Sequence, residues 1–263
     1  MKAATCSAVL GMLACMTCLA QSNSTAESAR ALPPILERMP ESLEIRFALS
    51  AAPPHLRDEA TTYVLDPAKG YVLSHKGANG VSCIVVRSDW QFPNQPLRDD
   101  IFWAVCYDDA GSKTLLQDYL YTAELRARGM DSKQVHEEVT KKFDKPDYPN
   151  PARTGVAYMI APIMRGYTKA PDPVTMNMPH YMFYAPNVKD ADIGGNGFSQ
   201  QYPFILSMNT GRDDYIIMLV GETEKAKILL ESKDLLAQLC SYRHYLCTTD
   251  STRARTPMDT SMH

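Results

Sequence analysis

The segment from Thr175 to Gly197, TMNMPHYMFYAPNVKDADIGGNG, contains most of the side chains that could do chemistry. Histidine transfers protons near neutral pH, so His180 is a candidate general base, with Asp192 as the carboxylate that orients it. Tyr184 or Asn187 could then stabilise an oxyanion. The chain lacks G-x-S-x-G and H-E-x-x-H motifs, so a structural, hydrogen-bonded His180 is the competing interpretation.

The pattern M-x-M-x-H-x-M in the same segment is typical of a Cu(I) site. Its members are Met176, Met178, His180 and Met182. In an extended chain, alternate side chains share one face, and thioethers with an imidazole are ligands that Cu(I) prefers. Pro179 interrupts the pattern, and methionines also fill cores. Core packing is therefore the alternative interpretation.

A second metal pattern, DADIGGNG, places oxygen ligands on a glycine-rich turn. Asp190, Asp192 and Asn196 could bind Ca²⁺ through their side-chain oxygens. The bidentate glutamate that ends a twelve-residue calcium loop is missing, and Gln201 stands in its place. A solvated turn is the alternative, and we expect no resident cofactor.

The N-terminus is typical of a secretory signal covering residues 1–20. Lys2 is the only charge, and an apolar run from Ala3 to Leu19 follows it. The run of about 17 residues is at the short limit for a bilayer span. We expect cleavage after Ala20 and no transmembrane span in the mature protein. Lipoprotein processing at Cys15, which would leave a lipid anchor, is the alternative.

Four cysteines remain after the signal: Cys83, Cys106, Cys240 and Cys247. An even number in an exported chain indicates two disulfides. Proximity along the chain favours Cys83–Cys106 and Cys240–Cys247, although three connectivities are possible. No pair has C-x-x-C spacing, so a zinc site is disfavoured.

Composition excludes several classes of protein. The chain has 263 residues, 45% of them hydrophobic, and a net charge of −3. This content is too apolar for a disordered chain, and the negative charge disfavours nucleic acid as a partner. A small molecule or another protein remains as the partner.

The first half of the chain predicts a helix followed by strands. Apolar residues at helical spacing predict a short helix that begins near Pro40 and stops at Pro53-Pro54. Four strands follow in TTYVLD, GYVLSH, VSCIVVRS and IFWAVCY. Asn79-Gly80 predicts a hairpin turn. If the last two strands are neighbours, Cys83 and Cys106 lie opposite each other.

The second half predicts a helical hairpin, more strands and a helical end. Ser112 is the predicted N-cap of a long helix that Gly129 ends, and Ser132 starts a second helix. Strands return in GVAYMIAPI, HYMFYA, PFILSM and DYIIMLV. Long loops are expected from Met164 to Pro179 and from Pro186 to Pro203.

One stretch, Pro179–Asn187 (PHYMFYAPN), followed by Ala191-Asp192-Ile193-Gly194, resembles a family of exported bacterial proteins without a characterised activity. Asn79-Gly80 with Cys83, and Cys106-Tyr107-Asp108, fit the same resemblance, which covers about Thr61 to Val220. It implies export, one shared domain and a Cys83–Cys106 pair. It implies no reaction.

Together these features predict an α+β fold, in which a mostly antiparallel sheet packs against a helical hairpin beside a loop-rich rim. The expected organisation is a signal at 1–20, a polar linker at 21–39, one domain at 40–247 with a helical extension at 222–247, and a flexible tail at 248–263. The predicted function is a periplasmic or secreted, non-catalytic binding module that uses His180, Tyr184, Asn187 and Asp192. A hydrolase is the alternative.

Overall fold

Apolar residues at helical spacing form the first helix of the protein. In the computed structural model, which describes residues 35–146, 148, 150–167, 172–207 and 214–248, α1 covers Glu41–Ser50. Its stripe, including Phe47, is buried. A further short helix, α2 (Pro54–Arg57), begins directly after Pro53. Pro54 occupies its first position, where proline fits well. Leu36 and Met39 are also buried, so the packed chain begins before Pro40.

Several predictions fall outside the described residues. These are the signal at 1–20 with its lipidation alternative at Cys15, the linker up to residue 34, and the tail from residue 249. Within the described residues, no helix is long and apolar enough to cross a membrane.

Ten strands form one sheet in the described part of the chain. They are β1 (Thr61–Asp66), β2 (Gly70–His75), β3 (Ser82–Val86), β4 (Phe102–Tyr107), β5 (Val156–Met159), β6 (Met164–Gly166), β7 (Val174–Met176), β8 (His180–Tyr184), β9 (Phe204–Leu206) and β10 (Tyr215–Leu219). The main order is β2-β1-β3-β4-β5-β8-β10-β9, and β6 joins β4 to β7. All pairs are antiparallel except β1 with β3, as an α+β fold requires.

The predicted hairpin at Asn79-Gly80 is wrong, because β2 and β3 do not pair. β1 lies between them, antiparallel to β2 and parallel to β3. The chain at Asn79 therefore crosses from one side of β1 to the other. The Asn79 side chain fixes this crossing, since Oδ1 accepts from Val81 N (3.0 Å) and Nδ2 donates to Leu56 O (2.8 Å).

Both predicted disulfides are confirmed. β3 and β4 are antiparallel neighbours, and Cys83 lies directly opposite Cys106 in their register. The Cα atoms of this pair are 4.0 Å apart, and a disulfide joins them. The second disulfide joins Cys240 to Cys247.

The helical hairpin packs on one face of the sheet, as predicted. Its helices are α4 (Leu115–Ala127) and α5 (Ser132–Phe143), and a short α3 (Asp109–Ser112) precedes them. Ser112 is the last residue of α3 and does not cap α4. Asp131 caps α5 through a capping box with Gln134. Gly129, with a φ of +81°, ends α4 as the sequence predicts.

The helical end of the chain lies on the opposite face. α6 covers Glu222–Glu231 and α7 covers Lys233–Tyr242. Leu235, Leu236 and Leu239 of α7 share a buried cluster with α1 and with the β3–β4 disulfide. The residues predicted as a C-terminal extension thus complete the second layer of helices.

The loop predicted from Met164 to Pro179 contains two strands, β6 and β7. Both are short and pair with each other, with Met164 opposite Met176. Three-residue strands leave too little periodicity to distinguish them from a loop in the sequence.

Candidate functional site

β8 positions two of the four predicted site residues on one face of the sheet. Successive side chains of a strand alternate between faces, so His180, Met182 and Tyr184 point towards the helical hairpin, and all three are buried. Four residues of extended strand separate His180 from Tyr184 by about 13 Å. The two side chains therefore lie at opposite ends of the strand.

His180 is packed as a structural residue and is 3% exposed. Its Nδ1 lies 2.7 Å from the carbonyl oxygen of Met178, and burial lowers its pKa. The neutral ring therefore carries its proton on Nδ1 and donates it to Met178. Asp192 is exposed, and its Oδ2 accepts a hydrogen bond from Lys189 N (2.8 Å). His180 and Asp192 thus bind backbone groups of their own segments and do not form the predicted pair.

Tyr184 is fixed at the end of β8 by a buried network. Its hydroxyl lies 2.9 Å from Asp108 Oδ1 and 2.9 Å from the carbonyl oxygen of Val156. The same Asp108 oxygen accepts from Gly111 N (2.9 Å) at the start of α3. Burial, followed by the negative charge of Asp108, raises the pKa of Tyr184 well above its ordinary value. The hydroxyl joins three segments of the fold and does not face the rim.

Asn187 lines an open cleft of about 590 Å³ beside the loop from Pro186 to Pro203, which we call the rim loop. Its φ is 63°, a left-handed conformation that asparagine tolerates better than most residues. The cleft is lined by Asn187, Val188, Lys189, Asp190, Ile205, Ser207 and Asp214. Of the four predicted site residues, only Asn187 lines it.

The oxygens of the predicted calcium pattern satisfy backbone groups. Asp190 Oδ1 accepts from Ile205 N (2.9 Å), which ties the rim loop to β9. The Asp190 carbonyl accepts from Gly195 N (2.7 Å). Asp192 caps the turn at Lys189, and Asn196 is exposed. Among the described residues, no three His, Cys, Asp or Glu side chains come together as a metal site.

The predicted Cu(I) pattern is divided between two strands. Met176 ends β7, and Met182 lies in the middle of β8 within the core. Met178 lies between the two strands and is partly exposed. The premise that all four side chains share one extended strand is therefore wrong. Met182 has the core-packing role that was the alternative.

The opposite face of the same strands carries an apolar surface that the site prediction missed. Its side chains are partly or fully exposed: Val156 and Tyr158 of β5, Tyr181 and Phe183 of β8, Ile205 of β9, and Ile216 and Met218 of β10. We call these seven residues the open sheet face. α1 and α7 lie over β1, β3 and β4 in the same layer.

Strand register arranges the open sheet face in two rows. Tyr158, Tyr181 and Met218 are direct cross-strand neighbours. The next row consists of Val156, Phe183, Ile216 and Ile205. The Tyr158 and Tyr181 rings meet edge to face with centroids 6.1 Å apart, and Met218 is 47% exposed. The result is a continuous surface of aromatic and aliphatic side chains.

The sequence did contain a signal for this surface. HYMFY and YIIML are apolar at nearly every position, whereas a strand with one solvated face alternates between apolar and polar residues. Strands of this kind are buried on both faces or contact something on the second face. In this protein the second face has partly exposed side chains.

No protein-family model, curated protein or solved structure matches the chain. The resemblance to an exported bacterial family therefore stays a prediction.

Proposed function

We propose that the protein is an exported, non-catalytic binding module that holds a partner protein against its open sheet face. The observation that carries this proposal is the two-row apolar surface on β5, β8, β10 and β9. Contiguous exposed apolar patches are typical of sites that contact other macromolecules.

The arrangement and composition of the surface favour a protein over a small molecule. Small-molecule sites are concave and enclose their ligand, whereas the open sheet face consists of side chains on adjacent strands. Aromatic residues and methionine are enriched in the cores of protein interfaces, and Tyr158, Tyr181, Phe183 and Met218 are of these types.

The dimensions of the surface favour a transient partner. Four strands about 4.8 Å apart, which contribute two side chains each except for the single Ile205 of β9, cover roughly 200 Å². A stable complex buries about 800 Å² on each partner. The partner would therefore bind reversibly and present an apolar surface of its own.

Export is supported by the disulfides. Such bonds persist in oxidising compartments, and Cys83–Cys106 and Cys240–Cys247 are both paired. Together with the signal predicted at 1–20, they support a periplasmic or secreted location for the mature protein. The hydrolase alternative loses its support, because His180 and Asp192 do not pair.

Site-specific photo-crosslinking in the native host tests the proposal. A photoreactive phenylalanine at position 218 should yield one discrete adduct with another protein. The matched control is position 73, since Leu73 is an equally apolar strand residue with 53% exposure on β2, at the other end of the sheet. Equal adducts at both positions, or none at position 218, would contradict the proposal.

A further inference from the structure

A second cleft, separate from the open sheet face, lies between the end of α4 and the turn that joins β1 to β2. Its volume is about 660 Å³. It is lined by Ile35, Leu36, Leu65, Pro67, Ala68, Ala123, Arg126, Ala127, Arg128 and Gly129. We call it the arginine cleft.

The floor of the arginine cleft is apolar and tightly packed. Leu36, Leu65 and Ala123 form one buried cluster, each with 6% exposure or less. The crevice beneath them, which Tyr71 and Val86 also line, has no room for a water molecule. A ligand would therefore lie above this cluster, against the more exposed Ile35, Pro67, Ala68 and Ala127, without entering the core.

Two arginines, Arg126 and Arg128, line the cleft where α4 ends. Arg126 is 7% exposed, and its Nη1 donates to Ser88 Oγ (2.6 Å) and to Arg87 O (3.2 Å). These bonds hold the guanidinium at a fixed place. Burial lowers the pKa of Arg126 to about 10, so the group still carries its charge at neutral pH.

The second guanidinium, on Arg128, is accessible from solvent. Its side chain is 61% exposed and lies 3.8 Å from Glu124, a separation at which an exposed ion pair contributes little. Lys69 follows the lining residue Ala68 and adds a third positive charge beside the cleft. This region is thus basic in a chain whose net charge is −3.

We propose that the arginine cleft binds an apolar carboxylic acid, with the hydrocarbon chain against the aliphatic lining and the carboxylate at Arg128, beside the buried charge of Arg126. Guanidinium groups bind carboxylates through charge-assisted, bidentate hydrogen bonds. The aliphatic lining disfavours a small polar anion such as inorganic phosphate, which would leave that lining unused. The ligand class is therefore a free fatty acid of medium chain length.

Calorimetric titration of the mature protein with dodecanoate tests this proposal. We expect binding of one equivalent, and binding of the uncharged dodecanol at least tenfold weaker. Ala127→Trp should abolish dodecanoate binding by filling the cleft, whereas Leu230→Trp, at an exposed position on α6, should leave it unchanged. No binding, equal affinity for dodecanol, or binding unaffected by Ala127→Trp would overturn the proposal.

A matched pair of arginine variants tests the position of the carboxylate. Arg128→Gln should weaken dodecanoate binding by about threefold, the size expected for one exposed charge. Arg153→Gln is the control, because Arg153 is 62% exposed and lies 3.5 Å from a carboxylate oxygen of Asp108. Equal affinities of both variants would overturn the assignment. Vesicles of phosphatidylglycerol test whether the cleft binds a membrane lipid. Binding to vesicles in place of the free acid would contradict a free-acid ligand.

Discussion

Glu44 shows how burial changes the chemistry of a single residue in this fold. The side chain belongs to α1, is 1% exposed, and accepts a hydrogen bond from Leu65 N (2.9 Å) through Oε1. Loss of solvation raises its pKa from 4.5 to about 7, against smaller opposing effects of that hydrogen bond and of Arg87. The folded protein therefore holds a proton here that the unfolded chain releases.

This shift predicts a pH-dependent stability. The folded-state pKa lies above the unfolded value, so the contribution of Glu44 to the free energy of unfolding is fully present below pH 4.5 and is lost as the pH rises to about 7. At about 1.4 kcal/mol per pKa unit, the loss is about 3 kcal/mol. Glu44→Gln keeps the acceptor for Leu65 N and should remove this part of the dependence, as urea unfolding at pH 4.5 and 7.5 would measure.

The difference in pH dependence between wild type and Glu44→Gln isolates the contribution of Glu44 to the free energy of unfolding. Burial also raises the pKa of Asp89 to about 7, and that contribution is common to wild type and variant. Parallel stability curves for the two proteins across this pH range would contradict the prediction.

Gly111 is the residue that makes room for the Tyr184 hydroxyl. A Cβ at this position would lie 2.1 Å from that oxygen, whereas a Cβ at Gly129 would meet nothing within 4 Å. Gly111→Ala should therefore cost about 2 kcal/mol or more of unfolding free energy through overpacking. Gly129→Ala should cost about 1 kcal/mol, because its φ of +81° is strained for alanine.

Tyr184→Phe provides the second arm of that comparison. Since the phenylalanine ring lacks the hydroxyl, Gly111→Ala should cost less in this background, and a double-mutant cycle by urea unfolding measures the coupling. Equal costs of Gly111→Ala in both backgrounds would show that the Tyr184 hydroxyl is not the group in conflict.

Among the elements, those with long or strongly patterned sequences could be predicted, and those fixed by distant contacts could not. The stripe of Val135, Val139 and Phe143 identified α5, and all three side chains are buried. Asn79-Gly80 has the local sequence of a hairpin, yet β1 separates the strands on either side. The spacing of residues in the sequence indicates local conformation. Strand order depends in addition on which strands pair with β1 on its two sides.

The disulfides act at the scale of elements, and their loop lengths predict unequal contributions. Cys83 and Cys106 are 23 residues apart and join β3 to β4, whereas Cys240 and Cys247 are 7 residues apart. Loop-closure entropy gives about 3 kcal/mol for the first bond and about 2 kcal/mol for the second.

Pairs of alanine substitutions test this order. The Cys83→Ala, Cys106→Ala protein should lose more unfolding free energy in urea than the Cys240→Ala, Cys247→Ala protein. An equal loss, or the reverse order, would contradict the prediction.

At the scale of the whole molecule, the sheet lies between two layers of helices of unequal extent. The hairpin of α4 and α5 covers one face, with Met182, Tyr184 and Ile217 beneath it. α1 and α7 cover the β1–β3–β4 part of the other face, and Tyr158 of β5 packs against their buried cluster. The sequence predicted the hairpin layer because its helices are strongly periodic. It could not predict which strands α7 covers, since that depends on contacts between the two ends of the chain.

Long-range contacts also separate the residues of the predicted site. His180, Tyr184, Asn187 and Asp192 have side chains suited to chemistry, but the fold distributes them between the core, a cleft and an exposed turn. Apolar side chains such as Phe183 carry no such signal by themselves. They form a surface only after four strands come into register.

The measurement that tests the central claim most directly is the affinity of the crosslinked partner for variants of the open sheet face. Met218→Lys places a charge at an exposed position of that surface and leaves the core intact. We expect it to weaken binding by about tenfold or more, as for a residue at the centre of an interface, while Leu73→Lys leaves the affinity unchanged. Equal affinities of the two variants would contradict the assignment of this face as the binding surface.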